Sequence, residues 1–207
     1  LKMTDWFDML EDNGQVARAA IRNFAMQLHG RWRKLAPRLP RPSDAPPSMV
    51  PPSLETYDKI LVLRRAASLR SAGMQAIASL ATVAEPVTLR QGETLFERGA
   101  QADNLYFVVR GAIELTADEG FRYLHPRGDL VGGPAAFCHA LPEYRARATT
   151  ETVLLRVSEQ DFYDQAEEHG RLTRGTLKYL VSELEPLLEI DDAQSAPVPT
   201  MQISPGA

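Results

Sequence analysis

The chain has 207 residues, 44% of them hydrophobic, enough for one domain with a sizeable core and part of another. A formal net charge of −4 argues against a general nucleic-acid footprint, which needs a basic face. No run of about 18 apolar residues occurs, so no membrane span is expected, and the polar start from Leu1 to Trp6 lacks a signal-peptide pattern. Starting on leucine, the sequence reads as a fragment or a processed chain. Cys138 is the single cysteine, which excludes an internal disulfide and fits a reducing, cytoplasmic setting.

Residues 5–35 read as two helices broken at Asn13-Gly14, with Val16, Ala20, Ile21, Phe24, Leu28, Trp32 and Leu35 sharing one face at helical spacing. Arg31, Arg33, Lys34, Arg38 and Arg41 gather at the end of the second. The helix dipole favours cations there, a simpler account than a nucleic-acid patch. Residues 36–53 hold seven prolines, which fix φ and remove N–H donors, so an extended, semi-rigid linker is expected. Ser53 as a cap, with Glu55 in the first turn, opens a helix carried by Tyr57, Ile60, Leu61 and Leu63. After a break near Ser71-Ala72-Gly73, a second apolar stripe follows at Met74, Ile77, Leu80, Ala81 and Val83.

The pattern then changes. Short apolar runs at Thr94 to Phe96, Leu105 to Val109 and Ala112 to Leu115 alternate with Gly92, Gly99, Gly111, Gly120 and Gly128, spaced 7 to 12 residues apart. Brief strands joined by tight turns that need positive φ read this way. The fold class expected is α+β: an antiparallel β-roll, jelly-roll-like, flanked by N-terminal and C-terminal helices. Asp118-Glu119-Gly120 marks a reversal within a hairpin over residues 118–128.

The order Gly92, Gly99, Ala102-Asp103, the Leu105 to Val109 strand, Gly111 and Gly128-Asp129 resembles the cyclic nucleotide-binding domain family, of the catabolite-activator and protein kinase A regulatory-subunit type. That resemblance implies a β-roll with lead-in and closing helices and a phosphate-binding cassette after Gly128-Asp129. In the family the cassette supplies a glutamate for the ribose hydroxyl directly after a glycine, and an arginine for the phosphate about ten residues after it. Here the stretch reads Val131, Gly132, Gly133, Pro134, Ala135, Ala136, Phe137. The glutamate position is Gly133, and the arginine position is Pro142, followed by Glu143.

Each lost charge-assisted hydrogen bond costs about 1.5–3 kcal/mol, so two losses carry a micromolar ligand to roughly millimolar. Glu143 adds repulsion. The cassette therefore reads as degenerate: no cofactor is expected, and cAMP or cGMP is disfavoured. In the alternative register Arg145 or Arg147 holds the phosphate, yet their alternation with Ala146 and Ala148 also fits a solvated strand face. Cys138 reads as a small cassette-loop residue.

Residues 158–185 resemble the family's two closing helices, with Leu177, Leu180, Leu184 and Leu187 as a seam able to pack on its own roll or on a second chain. Pro186 is expected to end or kink the second, and residues 191–207 to be disordered.

The segment from Asp5 also matches that from Asp161 at a constant offset of 156, with identities at Asp5/Asp161, Asp8/Asp164, Glu11/Glu167, Gly14/Gly170, Arg18/Arg174 and Leu28/Leu184. Residues 1–35 thus resemble the closing helices of a preceding domain copy, 36–53 a linker, and 54–190 one domain.

The function expected is a non-catalytic regulatory or scaffolding module. The alternative is a sensor of cyclic nucleotide, or of another small ligand, within a larger signalling protein. Its partners would be a small molecule, a tandem domain, or a protein or second copy through the closing helices, with no nucleic acid and no membrane. His29, His125, His139 and His169 lack metal-binding spacing, which argues against an enzyme of cupin type. The roughly 20 residues after Pro186 are too few for a winged helix-turn-helix.

Overall fold

The computed structural model describes residues 13–35 and 54–195. Helix α1, Gly14–Leu35, starts at the predicted break, where the Asn13 side chain accepts a hydrogen bond from Val16 N at 3.2 Å. Its buried stripe is Ala17, Ile21, Ala25 and Leu28, with Ala20, Phe24 and Trp32 half-buried against the core. Val16, expected on that face, is 40% exposed, since one residue before Ala17 lies about 100° round the helix.

Helix α2, Thr56–Leu63, is opened by a reciprocal pair, Glu55 and Asp58, each side chain accepting from the other's backbone N–H. Glu55 therefore takes the capping role expected of Ser53, which lies outside the described residues. A 3₁₀ turn at Ala67–Leu69 leads to α3, Met74–Val83.

Eight strands follow: β1 Glu85–Leu89, β2 Thr94–Phe96, β3 Asn104–Arg110, β4 Ile113–Thr116, β5 Arg122–His125, β6 Leu130–Val131, β7 Arg145–Ala148 and β8 Thr152–Ser158. They form two antiparallel four-stranded sheets, ordered β1-β8-β3-β6 and β2-β7-β4-β5. The five glycines spaced through the roll all adopt positive φ, and a 3₁₀ turn at Asp118–Gly120 makes the expected reversal between β4 and β5.

Leu89, Val108, Val131 and Leu154 from one sheet meet Ile113, Leu115, Ala146 and Ala148 from the other, forming the interior of the roll. Leu105, Phe107, Val109, Leu155 and Val157 face the opposite way and pack under the helices. Strand β3 is thus covered on both sides, which accounts for its unbroken apolar run.

Gly111 turns β3 into β4 at φ +80°, and a Cβ there would lie 2.5 Å from Thr152 Oγ1 and 2.6 Å from the Glu151 carbonyl oxygen. Left-handed backbone costs an alanine about 1–2 kcal/mol, and crowding of this kind adds about 1–3 kcal/mol. Gly111→Ala is expected to lower stability by about 3 kcal/mol in equilibrium urea unfolding. A loss below about 1 kcal/mol would show that the turn can relax away from β8.

Helices α4, Gly133–Cys138, α5, Glu159–Glu168, and α6, Gly170–Ser195, complete the helical layer. Ser158 caps α5, accepting from Asp161 N at 3.0 Å. Helix α6 runs on through Pro186, where an end or a kink was expected. It reaches Ser195, five residues into the segment expected to be disordered. Leu184 and Leu187, buried on either side of Pro186, anchor the helix across the missing donor.

Helix α1 lies alongside α6 in the same direction. Its first turns, at Gly14 and Arg18, share a cleft with Glu167 and Thr173, while Leu28 and Trp32 meet Tyr179 and Glu183 further along. Residues 14–35, which precede the proline-rich segment, therefore join the core built by 54–190. Residues 1–12, 36–53 and 196–207, where a first helix, a linker and the rest of a tail are expected, lie outside the described residues. No described helix is long and apolar enough to cross a membrane.

Candidate functional site

The cassette residues Val131 to Ala136 form one continuous step from β6 into α4. Val131 is buried in the roll. Gly132 has φ +82°, where any other residue is strained, and a Cβ would lie 3.0 Å from the Asn104 carbonyl oxygen. Pro134 sits in the first turn of α4, where a missing N–H costs no helical bond. Ala135, Ala136 and Phe137 are buried beneath it. At Gly133 a Cβ would meet Leu130 Cδ2 at 2.6 Å. Placing a glutamate there therefore requires Leu130 to move or shrink.

The segment from Pro142 to Ala148 sorts its side chains by alternation. Pro142 is buried, and its carbonyl accepts from Gly99 N at 2.8 Å. Glu143 is exposed, while Tyr144 is buried in the interior. Arg145 and Arg147 are exposed on the outer face of the β2-β7-β4-β5 sheet, opposite in facing to Ala146 and Ala148, which fill the interior. Arg145 Nε donates to Glu97 Oε2 at 2.7 Å, and Arg147 Nε donates to the Gly92 carbonyl at 2.5 Å. The structure thus brings Val131, Gly132, Gly133, Ala135 and Ala136 together and keeps both guanidinium groups on the far side of their sheet.

What occupies the mouth of the roll is aromatic, and most of it was not singled out from sequence. The Trp32 ring, carried in by α1, lies 4.8 Å from Tyr123, 5.6 Å from Phe121 and 5.6 Å from Tyr144, and stacks on His125 at 5.7 Å and 14°. Phe96 closes the group from β2, 6.0 Å from Tyr144. The alternation of Phe121, just before β5, with Tyr123 and His125 on it was a signal available in the sequence, since residues two apart share a strand face. The partner from residue 32 was not, because the contact spans the proline-rich segment.

Between this aromatic group, Gly132 and Pro134 of the cassette, Ser68, and Tyr179 and Glu183 of α6 lies a cavity of about 240 Å³. No arginine or lysine lines it among the described residues. His125 Nδ1 is 3.1 Å from Asp129 Oδ2. Burial pushes the His29 imidazole down, opposed by Glu143, and so holds it neutral. Burial pushes the Glu183 carboxyl up, and the charge of Asp129 raises it further. Burial likewise pushes the Tyr144 and Tyr179 phenols up, so both remain protonated.

The family model described as "Cyclic nucleotide-binding domain" matches residues 86–169, the whole roll and α5. No curated protein matches the sequence. A cyclic nucleotide-binding-like protein from Brucella abortus is 31% identical, over 53% of this chain and 98% of that chain, with a TM-score of 0.46. The N-terminal domain of a transcriptional regulator from Streptomyces coelicolor is 26% identical over 66% of this chain and 99% of that chain, with a TM-score of 0.54. The catabolite activator protein of Thermus thermophilus, 20% identical over 62% of this chain and 63% of that chain, shares the fold with a TM-score of 0.55. With two facing sheets, a short cassette helix after Gly128-Asp129 and closing helices over the roll, the chain belongs to the cyclic nucleotide-binding domain family.

Proposed function

We propose that this chain is a non-catalytic regulatory or scaffolding module whose roll has lost the usual binding of cAMP or cGMP. One observation carries the reading: the Arg145 and Arg147 guanidinium groups are paired on the outside of the roll, and Pro142 stands where the family's anion clamp belongs. Two further features support it. Trp32 and Tyr144 occupy the mouth and interior, and the remaining cavity of about 240 Å³ falls below the roughly 300–1,000 Å³ usual for drug-sized ligands.

Isothermal titration calorimetry of the chain with cAMP and cGMP up to millimolar concentration is expected to give no saturable heat. Binding tighter than about 10 μM would retire the proposal. Arg145→Ala and Arg147→Ala distinguish the registers. Both side chains are exposed, so each substitution is expected to cost under about 1 kcal/mol in stability and to leave the titration flat. A nucleotide signal abolished by either one would instead make that arginine the phosphate ligand.

The tandem arrangement is part of the same proposal. Helices α1 and α6 begin at Gly14 and Gly170, the pair matched by the 156-residue offset. The buried stripe Ala17, Ile21 and Leu28 corresponds to Thr173, Leu177 and Leu184, also buried. Two matched helices lying side by side in one direction support reading residues 1–35 as the end of a preceding copy docked on this one. The closing helices are then the surface for a tandem domain, a second copy or another protein. The lone Cys138, free and buried, fits a cytoplasmic setting.

A further inference from the structure

The cavity beside the cassette has the chemistry of a site for positive charge, the reverse of what a cyclic phosphate needs. Trp32, Tyr123, Tyr144 and Tyr179 supply aromatic walls, and Asp129 and Glu183 supply carboxylates. Asp129 is engaged by His125, whereas Glu183 has no hydrogen-bond or ion-pair partner among the described residues. A half-buried carboxylate near a second one is unfavourable until a proton or a cation joins it.

A second, independent observation lies on the same wall. Ser68, which lines the cavity, is 5% exposed, and its Oγ has no hydrogen-bond partner. Buried hydroxyls are nearly always satisfied, so an unpartnered one beside a cavity points to an occupant. The His29 imidazole, held neutral by burial, does not oppose a cation.

We propose that this cavity binds a small organic cation, an alkylammonium or quaternary ammonium group, with its charge at Glu183 and Asp129 and its carbon atoms against Trp32 and Tyr123. Aromatic faces attract such cations through their quadrupoles, and the attraction grows when the site excludes water. Glu183 is the charge partner, and Trp32 and Tyr123 are the walls. The small volume selects a headgroup over a nucleotide.

Choline is the probe, titrated calorimetrically into the whole chain, with 3,3-dimethyl-1-butanol as the uncharged analogue of the same shape. Choline is expected to bind saturably and the alcohol at least tenfold more weakly. Glu183→Gln, nearly equal in shape, is expected to weaken choline tenfold or more while the far-UV circular dichroism melt shows the variant folded. Phosphatidylcholine vesicles then identify the source: co-sedimentation assigns a lipid headgroup, and its absence assigns a free amine. Equal affinity for choline and the alcohol overturns the proposal, as does the absence of a saturable signal with both choline and n-butylammonium. Failure with the amines alone leaves the loss of nucleotide binding standing. Tight binding of cAMP beside a saturable choline signal retires the loss of nucleotide binding alone.

Discussion

Replacing Phe137 with alanine is expected to lower stability by about 4 kcal/mol, the largest loss from any single site in the cassette. The side chain is 1% exposed. It sits edge-on to Phe162 at 5.0 Å and to Tyr163 at 5.9 Å, so it joins the cassette helix α4 to the closing helix α5. Removing a buried ring forfeits its transfer free energy and leaves a cavity that close packing only partly refills, about 3–5 kcal/mol for phenylalanine. The edge-to-face pairs add about 0.5–1.5 kcal/mol each. Against a usual total of about 5–15 kcal/mol, this is a large share. Urea unfolding followed by circular dichroism measures it. A loss under about 1.5 kcal/mol would mean that α4 is held by its backbone and by Ala135 and Ala136 instead.

Trp32→Ala is expected to cost about 3 kcal/mol, the lower end of the range for a buried tryptophan because the residue is only half-buried. Its effect is more than a local void. Trp32 is the ring through which α1 touches Phe121, Tyr123, His125 and Tyr144, all on the roll. Hydrogen exchange is therefore expected to quicken along α1 in this variant more than along β3 or β8, whose bonds lie deep in the other sheet. Uniform quickening, or a stability loss below about 1 kcal/mol, would remove Trp32 from its place as the clasp between helix and roll.

The roll was legible because its punctuation is chemical. Each glycine from Gly92 to Gly128 marks a backbone geometry that side chains resist, and the apolar runs between them became strands at the expected places. The facing of Arg145 and Arg147 could be read from alternation with Ala146 and Ala148, and the structure places both outside. Residues whose meaning depends on distant partners could not be read in this way. Trp32 looked like one more apolar position on a helix, yet it meets a strand some ninety residues later. Tyr144 is inside only because Pro142, Ala146 and Ala148 fix the phase of its segment. Helix ends misled for a related reason. Local rules located a cap at Ser53 and an end or a kink at Pro186, whereas Glu55 found a reciprocal partner and the helix did not end at Pro186, with Leu184 and Leu187 buried on either side.

The side-by-side run of α1 and α6 has a consequence for how occupancy of that seam depends on dilution. A helix supplied by another molecule would come and go with protein concentration, but α1 is tied to the roll by residues 36–53 and meets α6 at an effective concentration set by its tether. The groove along the closing helix is therefore filled equally at nanomolar and millimolar protein, and any outside helix that takes it must first displace the resident one.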